Sequence, residues 1–119
     1  MMHPLFGDTV TLYQPNGIAW TRTILQGVQW RQRVERTASA DGVLHVQTVT
    51  SVTIPPEQYP AGGISAAGQD VMVPGTGPQI TGAYTLADLK RAYPGYCTVR
   101  AVRDNTMRPG LKHWKVTAT

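Results

Sequence analysis

Histidine, cysteine and acidic side chains are the groups with which this chain could bind a metal or activate a nucleophile. The three histidines are His3, His45 and His113, and none stands at metal-ligand spacing to another histidine or a carboxylate. The single cysteine, Cys97, lies in an apolar run outside any nucleophile motif, so we expect it to be reduced and buried. The Gly-rich segment 74–77, PGTG, lacks the Lys and Ser/Thr that complete a phosphate-binding loop. These residues predict no catalytic, metal-binding or cofactor-binding site and no enzymatic activity.

Basic residues and tryptophans form two clusters that could bind an acidic partner, one around Trp30 and one around Trp114. The basic members are Arg31, Arg33, Arg36, Arg100, Arg103, Arg108, Lys112 and Lys115. Basic strands with interleaved aromatic residues are typical of proteins that bind single-stranded nucleic acid, but each cluster offers few aromatic rings for base stacking. A solvated strand face that prevents edge aggregation is the favoured interpretation. A basic face that meets an acidic neighbour in an assembly is a third.

Length and composition limit the class of protein. The chain has 119 residues, enough for one domain with a modest core. It contains 11 Lys and Arg against 7 Asp and Glu, and this net charge of +4 favours acidic partners only weakly. A single cysteine excludes an intrachain disulfide. The sequence shows neither a signal-peptide pattern nor an apolar run long enough to span a membrane, so we expect a soluble protein made in the cytosol.

Alternating apolar and polar residues predict about seven short β-strands. The first two flank Asn16-Gly17, a strong hairpin signal because both residues tolerate positive φ. Gln26-Gly27 is expected to break the second strand or to form a bulge, and Ser39–Gly42 is expected to be another turn. The predicted strands cover residues 8–14, 18–25, 28–37, 43–54, 69–75, 96–103 and 111–118.

One helix is predicted at about 85–92, because Thr85 and Asp88 have the spacing of a capping box. The segment at about 55–69 is rich in proline and glycine and is expected to be a long loop. These elements predict a mainly β protein with a single domain over 1–119. We expect a small antiparallel β-barrel or sandwich of about seven strands, with the helix packed over an open end. The candidate core residues are Val10, Leu12, Trp20, Val28, Trp30, Val46, Leu86, Leu89, Val99, Trp114 and Val116.

Several short motifs, spread over nearly the whole chain, resemble those of short uncharacterised proteins from tailed phages and prophages. They are VTLY at Val10–Tyr13, GVQWR at Gly27–Arg31, TIP at Thr53–Pro55, the segment Asp70–Gly75 and the closing strand pair at Val102–Val116. Proteins of this kind look like those encoded between the capsid and tail genes. The resemblance implies a neck or head-completion component, similar to the small β-barrel stoppers and connectors that form rings on the portal axis.

The resemblance further implies a structural virion protein that forms a homo-oligomeric ring, with a portal or adaptor protein on one face and tail proteins on the other. It implies non-specific contact with packaged DNA, no membrane, synthesis in the host bacterial cytoplasm and a final location in the virion neck. The candidate interface residues are Arg31, Arg33, Arg36, Tyr59, Ile64, Arg103, Arg108, Lys112 and Lys115. One alternative is a tail terminator or capsid-decoration protein of the same virion. A second is a basic oligonucleotide-binding-like barrel for single-stranded nucleic acid.

Overall fold

The computed structural model describes residues 7–17, 19–67, 70–107 and 112–119. The strands are β1 (Asp8–Asn16), β2 (Ala19–Ala38), β3 (Leu44–Ile54), β4 (Val71–Pro74), β5 (Cys97–Asp104) and β6 (Trp114–Ala118). A short 3₁₀ turn (Pro56–Gln58) follows β3, and the helix α1 spans Leu86–Ala92. The six strands pair antiparallel in a closed barrel, in the order β1-β2-β3-β6-β5-β4, which confirms the mainly β prediction with one short helix. The predictions for His3, Ile18, Gln69, Arg108 and Leu111 lie outside the described residues.

Gly27 joins into one strand what the sequence predicted as two. Its φ is 66°, and the register between β1 and β2 shifts between Asp8 and Thr9. Gly27 is therefore an extra residue that forms a β-bulge without ending β2, so the described residues contain six strands rather than about seven. The extra residue also changes which side chains point inward, so that Leu25 and Val28 are both buried in the barrel.

Inward-facing side chains from all six strands, together with Ile64 from the segment before β4, form the barrel core. Its buried members are Val10, Leu12, Leu25, Val28, Val52, Ile54, Ile64, Met72, Cys97, Val99, Val116 and Ala118. The predicted core residues Val10, Leu12, Val28, Val99 and Val116 are fully buried here. Because each fully buried apolar side chain contributes about 1.5–3 kcal/mol relative to exposure, this cluster holds the strands together.

A second apolar cluster lies on the outer wall of the barrel and holds the helix. Tyr13 of β1 and Val71 and Val73 of β4 point away from the interior and cluster with Leu89 of α1. The helix therefore covers the wall formed by β1 and β4, and the prediction that it lies over an open end is wrong. The physical reason is that these two strands carry apolar residues on both faces, and the outer face needs its own cover.

The helix begins at the predicted capping box. The Thr85 hydroxyl accepts a hydrogen bond from the Asp88 backbone N–H, and the Asp88 carboxylate accepts one from the Thr85 backbone N–H at 3.1 Å. Leu86 and Trp20, both predicted core residues, are partly buried against the outer cluster. Local capping therefore places the start of α1, while the outer cluster determines the wall on which it packs.

Side chains of β1 and β2 hold the segment after β4 against the same wall. The Tyr13 hydroxyl donates to the Pro78 carbonyl at 2.7 Å, and Arg22 Nη1 donates to the Gly77 carbonyl at 2.8 Å. The Gly77 N–H donates to the Thr11 hydroxyl at 2.9 Å. A Cβ at position 77 would overlap the Tyr13 hydroxyl oxygen, so only glycine fits there without movement. This glycine-rich segment therefore has a structural task on the barrel wall.

Candidate interaction surfaces

Strands β2 and β3 are longer than their neighbours and extend beyond the barrel wall. β1 pairs with β2 only as far as Val28, and β6 pairs with β3 only from Thr50 onward. The pairing of β2 with β3 continues to Ala38 and Leu44. Residues 33–49 therefore form a two-stranded ribbon, here called the arm, which projects about 20 Å at the usual rise per strand residue.

A tight turn closes the tip of the arm. The Gly42 N–H donates to the Ser39 carbonyl at 2.9 Å, and Gly42 has a φ of 84°. The Asp41 carboxylate accepts hydrogen bonds from the Ser39 hydroxyl and from the Val43 N–H, and these bonds lower the pKa of Asp41. The predicted turn at Ser39–Gly42 is confirmed, and it sets the register of the two arm strands.

One face of the arm is apolar and exposed to solvent. Val34, Ala38, Leu44 and Val46 share this face with Arg36, because cross-strand partners project to the same side. Val34, Leu44 and Val46 are 53%, 58% and 59% exposed. The prediction that Val46 belongs to the core is therefore wrong. Its face continues the barrel interior, but β1 and β6 end before they could cover it.

No described residue covers the apolar side of this ribbon, which makes it a candidate protein-binding surface. A two-stranded hairpin is marginally stable in water unless a third strand or another layer packs on it. Exposed apolar side chains gathered on one face are typical of interaction sites. We call the side of the arm that carries Val34, Leu44 and Val46 the apolar arm face.

The opposite side of the arm base and the adjoining barrel wall form a second surface, the cationic cleft. This cleft of about 450 Å³ is lined by Gln29, Arg31, Gln32, Arg33, Ser51, Thr53 and Lys115. Arg33 forms an ion pair with Glu35 at 2.9 Å. Arg31 and Lys115 have no ion-pair partner among the described residues, and neither has Arg103, the cross-strand neighbour of Lys115.

The structure divides the predicted interface residues among different surfaces. Those on the outer wall of the barrel, at or beside the cationic cleft, are Arg31, Arg33, Arg103 and Lys115. Arg36 projects to the opposite side of the arm, and Lys112 is exposed just before β6. Arg108 lies outside the described residues. The barrel thus brings basic side chains of β2 near those of β5 and β6, which are far from β2 in the sequence.

The two tryptophans beside these basic residues point the other way. Trp30 and Trp114 are partly buried and pack against the barrel core. Trp114 also stacks on Tyr59, with ring centroids 3.9 Å apart and ring planes 7° apart. Because neighbouring residues in a strand project to opposite sides, the interleaving seen in the sequence places the rings inside and the cations outside.

The predicted long loop folds back onto the barrel. The Tyr59 hydroxyl accepts a hydrogen bond from the Ile64 N–H at 3.0 Å, and Ile64 is buried in the barrel core. The Asp70 carboxylate, itself buried, accepts one from the Ser65 N–H at 2.8 Å. Ile64 therefore does not present the interface that the sequence predicted, because its side chain is used within the chain. Tyr59 is half-buried against Trp114.

The histidines and the cysteine occupy unrelated positions. His45 is exposed on the arm, and His113 Nε2 lies 3.1 Å from Asn105 Nδ2. Cys97 is buried as expected, and burial raises the pKa of its thiol to about 11. Among the residues that the structure describes, no three His, Cys, Asp or Glu side chains gather as metal ligands would.

Comparison with known proteins places the chain in a family. The model of a family of unknown function, DUF6751, matches residues 5–119. The chain belongs to this family. No curated protein and no solved structure matches this DUF6751 chain. In the described part of the chain, no helix has the length and apolar character needed to cross a membrane.

Proposed function

We propose that this DUF6751 protein is a structural subunit of a tailed-phage virion. In this proposal it acts in the neck as a stopper or head–tail connector, and its copies form a ring between the portal and the tail. The apolar arm face is the observation that carries the assembly part of the proposal. Val34, Leu44 and Val46 are more than half exposed there, on a ribbon that needs a covering layer. The motif resemblance to tailed-phage proteins is the basis for proposing a virion protein located in the neck.

The proposal assigns the apolar arm face to a groove on a neighbouring copy. A groove of about 340 Å³ at the start of β1 is lined by Gly7, Asp8, Thr9, Trp30, Pro74 and Gly75. Trp30 and Pro74 offer apolar surface to the arm. The Asp8 carboxylate, which accepts a hydrogen bond from the Trp30 N–H at 2.9 Å, offers a negative charge to Arg36. Arm and groove are different surfaces, so the contact is head-to-tail, and a ring results where the rotation between copies closes.

A tail terminator and a capsid-decoration protein of the same virion are the alternatives to this placement. The number of copies per particle separates them, because decoration proteins outnumber neck subunits greatly. The absence of enzymatic activity and of a cofactor stays a prediction from the sequence.

Electron microscopy of particles from the source phage with this gene disrupted tests the proposal. We expect tailless heads that are empty or leak DNA, beside free and finished tails. Filled and stable heads beside tails of irregular length would indicate that the protein acts at the tail terminus instead. Normal infectious particles would contradict a structural role in the virion.

A further inference from the structure

Two like charges lie directly opposite each other on the outer wall of the barrel. Arg103 of β5 and Lys115 of β6 are cross-strand partners, and both are exposed. Like charges at directly opposite positions destabilise a sheet. Arg31 adds a third cation on the same side, and none of the three has an ion-pair partner in the described part of the chain. An anionic ligand would relieve this repulsion, so the surface is better suited to a bound state than to a free one.

The remaining lining of the cationic cleft indicates which anion fits. Gln29, Ser51 and Thr53 add an amide and two hydroxyls beside the cations. Contacts to phosphate use these residue types together with Arg and Lys. Protein interfaces, in contrast, have an apolar or aromatic centre, and the lining of this cleft contains no large apolar side chain. The composition therefore favours phosphate groups over an acidic protein.

The position of the tryptophans indicates the form of the nucleic acid. Proteins that bind single strands without sequence preference stack bases on exposed aromatic rings. Here Trp30 and Trp114 pack against the barrel core, on the opposite side of their strands from the cations. Arg31 and Lys115 are two strands and two residues apart, roughly 12 Å between Cα atoms at standard strand spacing. This span covers several phosphates of a duplex, whose strands each present one about every 3.4 Å of helix axis.

We propose that the cationic cleft binds the phosphodiester backbone of duplex DNA without reading its sequence, with Arg31, Arg103 and Lys115 as the phosphate contacts. The barrel order puts β3 and β6 on the wall opposite β1 and β4, so α1 leaves this side open. The resemblance to phage neck proteins already implied non-specific contact with packaged DNA, and the inference assigns such a contact to three named residues. It does not depend on the ring, because a single subunit carries all three cations.

Fluorescence anisotropy with a labelled duplex of about 30 base pairs tests the inference. With about three phosphate contacts, affinity should fall roughly 40-fold between 50 and 200 mM salt. Arg31→Gln and Lys115→Gln should each weaken binding and reduce the slope of log affinity against log salt by about 1. Both positions are exposed, and circular dichroism of each variant checks the fold. Lys90→Gln, which removes the same charge from the helix on the opposite wall, is the matched control and should bind like the natural protein.

Several results would overturn the inference. If the protein does not bind the duplex at 50 mM salt, the cleft is not a DNA site. The same holds if Lys115→Gln and the natural protein show the same affinity and the same salt slope. If a single strand of equal length binds tenfold tighter than the duplex, the protein does not bind through the duplex backbone alone, and base stacking contributes. Polyglutamate that competed as well as DNA at equal charge would assign the cleft to an acidic protein. None of these results bears on whether the arm joins neighbouring copies.

Discussion

The apolar arm face allows a direct test of assembly through the substitution Leu44→Asp. Leu44 is 58% exposed and lies opposite Ala38 at the tip of the arm. The side chain is outside the barrel core, so we expect the variant to fold with unchanged circular dichroism. His45→Asp is the matched control, because His45 is the next residue and projects to the other side of the same strand.

The expected magnitude follows from the exposed fraction of the arm side chains. Full burial of a valine or leucine contributes about 1.5–3 kcal/mol relative to exposure. Val34, Leu44 and Val46 have roughly half of this left to gain, because they are already partly covered. Together they would contribute about 3 kcal/mol to one contact. A carboxylate at position 44 removes the contribution of the leucine to the binding free energy, and the carboxylate must itself be desolvated on binding. Association should therefore weaken ~100-fold or more.

Two assays measure this effect. Sedimentation velocity over a concentration series should show assemblies of the 13.0 kDa natural chain and of His45→Asp, and a smaller species for Leu44→Asp. Under the proposed virion role, complementation of a phage that lacks this gene covers the case in which assembly occurs only on the portal. There, His45→Asp should restore infectious particles and Leu44→Asp should not.

One result would refute the reasoning about the arm. If Leu44→Asp sediments like the natural protein and also restores infectious particles, the apolar arm face does not join subunits. The exposed valines and leucine would then need another explanation.

The remaining predictions concern stability and reactivity. Gly77→Ala should lower the free energy of unfolding by about 2–4 kcal/mol in a urea titration, because the new methyl group overlaps the Tyr13 hydroxyl and disturbs its hydrogen bond. An unchanged urea midpoint would contradict this packing. Burial raises the pKa of Tyr13 to about 12 against an ordinary value of 10.0, so the folded state holds its proton more tightly and stability should fall between about pH 10 and 12. The stability of the Tyr13→Phe variant should fall less over that pH range. Parallel curves of stability against pH for the variant and the natural protein would exclude Tyr13 as the cause. The Cys97 thiol should react with a disulfide reagent at least 100-fold faster in denaturant than in the folded protein, since burial raises its pKa to about 11; equal rates would show that it is accessible. Lys115→Gln should raise stability in thermal unfolding by roughly 0.2–1 kcal/mol, because it removes the repulsion from Arg103, and a lower melting temperature would show that the pair is not repulsive.

Several elements of the fold could be predicted from short stretches of sequence. Asn16-Gly17 marked the first hairpin, Ser39–Gly42 marked the arm turn, and Thr85 with Asp88 marked the start of the helix. Each of these features depends on hydrogen bonds or positive φ within four residues, so nearby residues contain the necessary information. The inward positions of Val10 and Leu12 follow from alternation in the same local way.

Other features depended on residues far away in the chain. Val46 continues an apolar alternation, but its exposure depends on β1 and β6, which end before they reach it. The helix packs on the outer wall because β4, which is remote from β1 in sequence, adds Val71 and Val73 to the face of Tyr13. Local periodicity does not show how far a neighbouring strand extends.

In the apolar arm face and the cationic cleft, too, local sequence set some features and the tertiary structure set others. Alternation along the sequence determined that the cations next to Trp30 and Trp114 project opposite to the rings. Only the tertiary structure brought Arg31 near Lys115, because these residues meet through the pairing of β3 with both β2 and β6. Only the tertiary structure also left Val34, Leu44 and Val46 exposed among the described residues. A side chain's direction is set by its own strand, whereas its neighbours and its exposure are set by strands that pair across the whole chain.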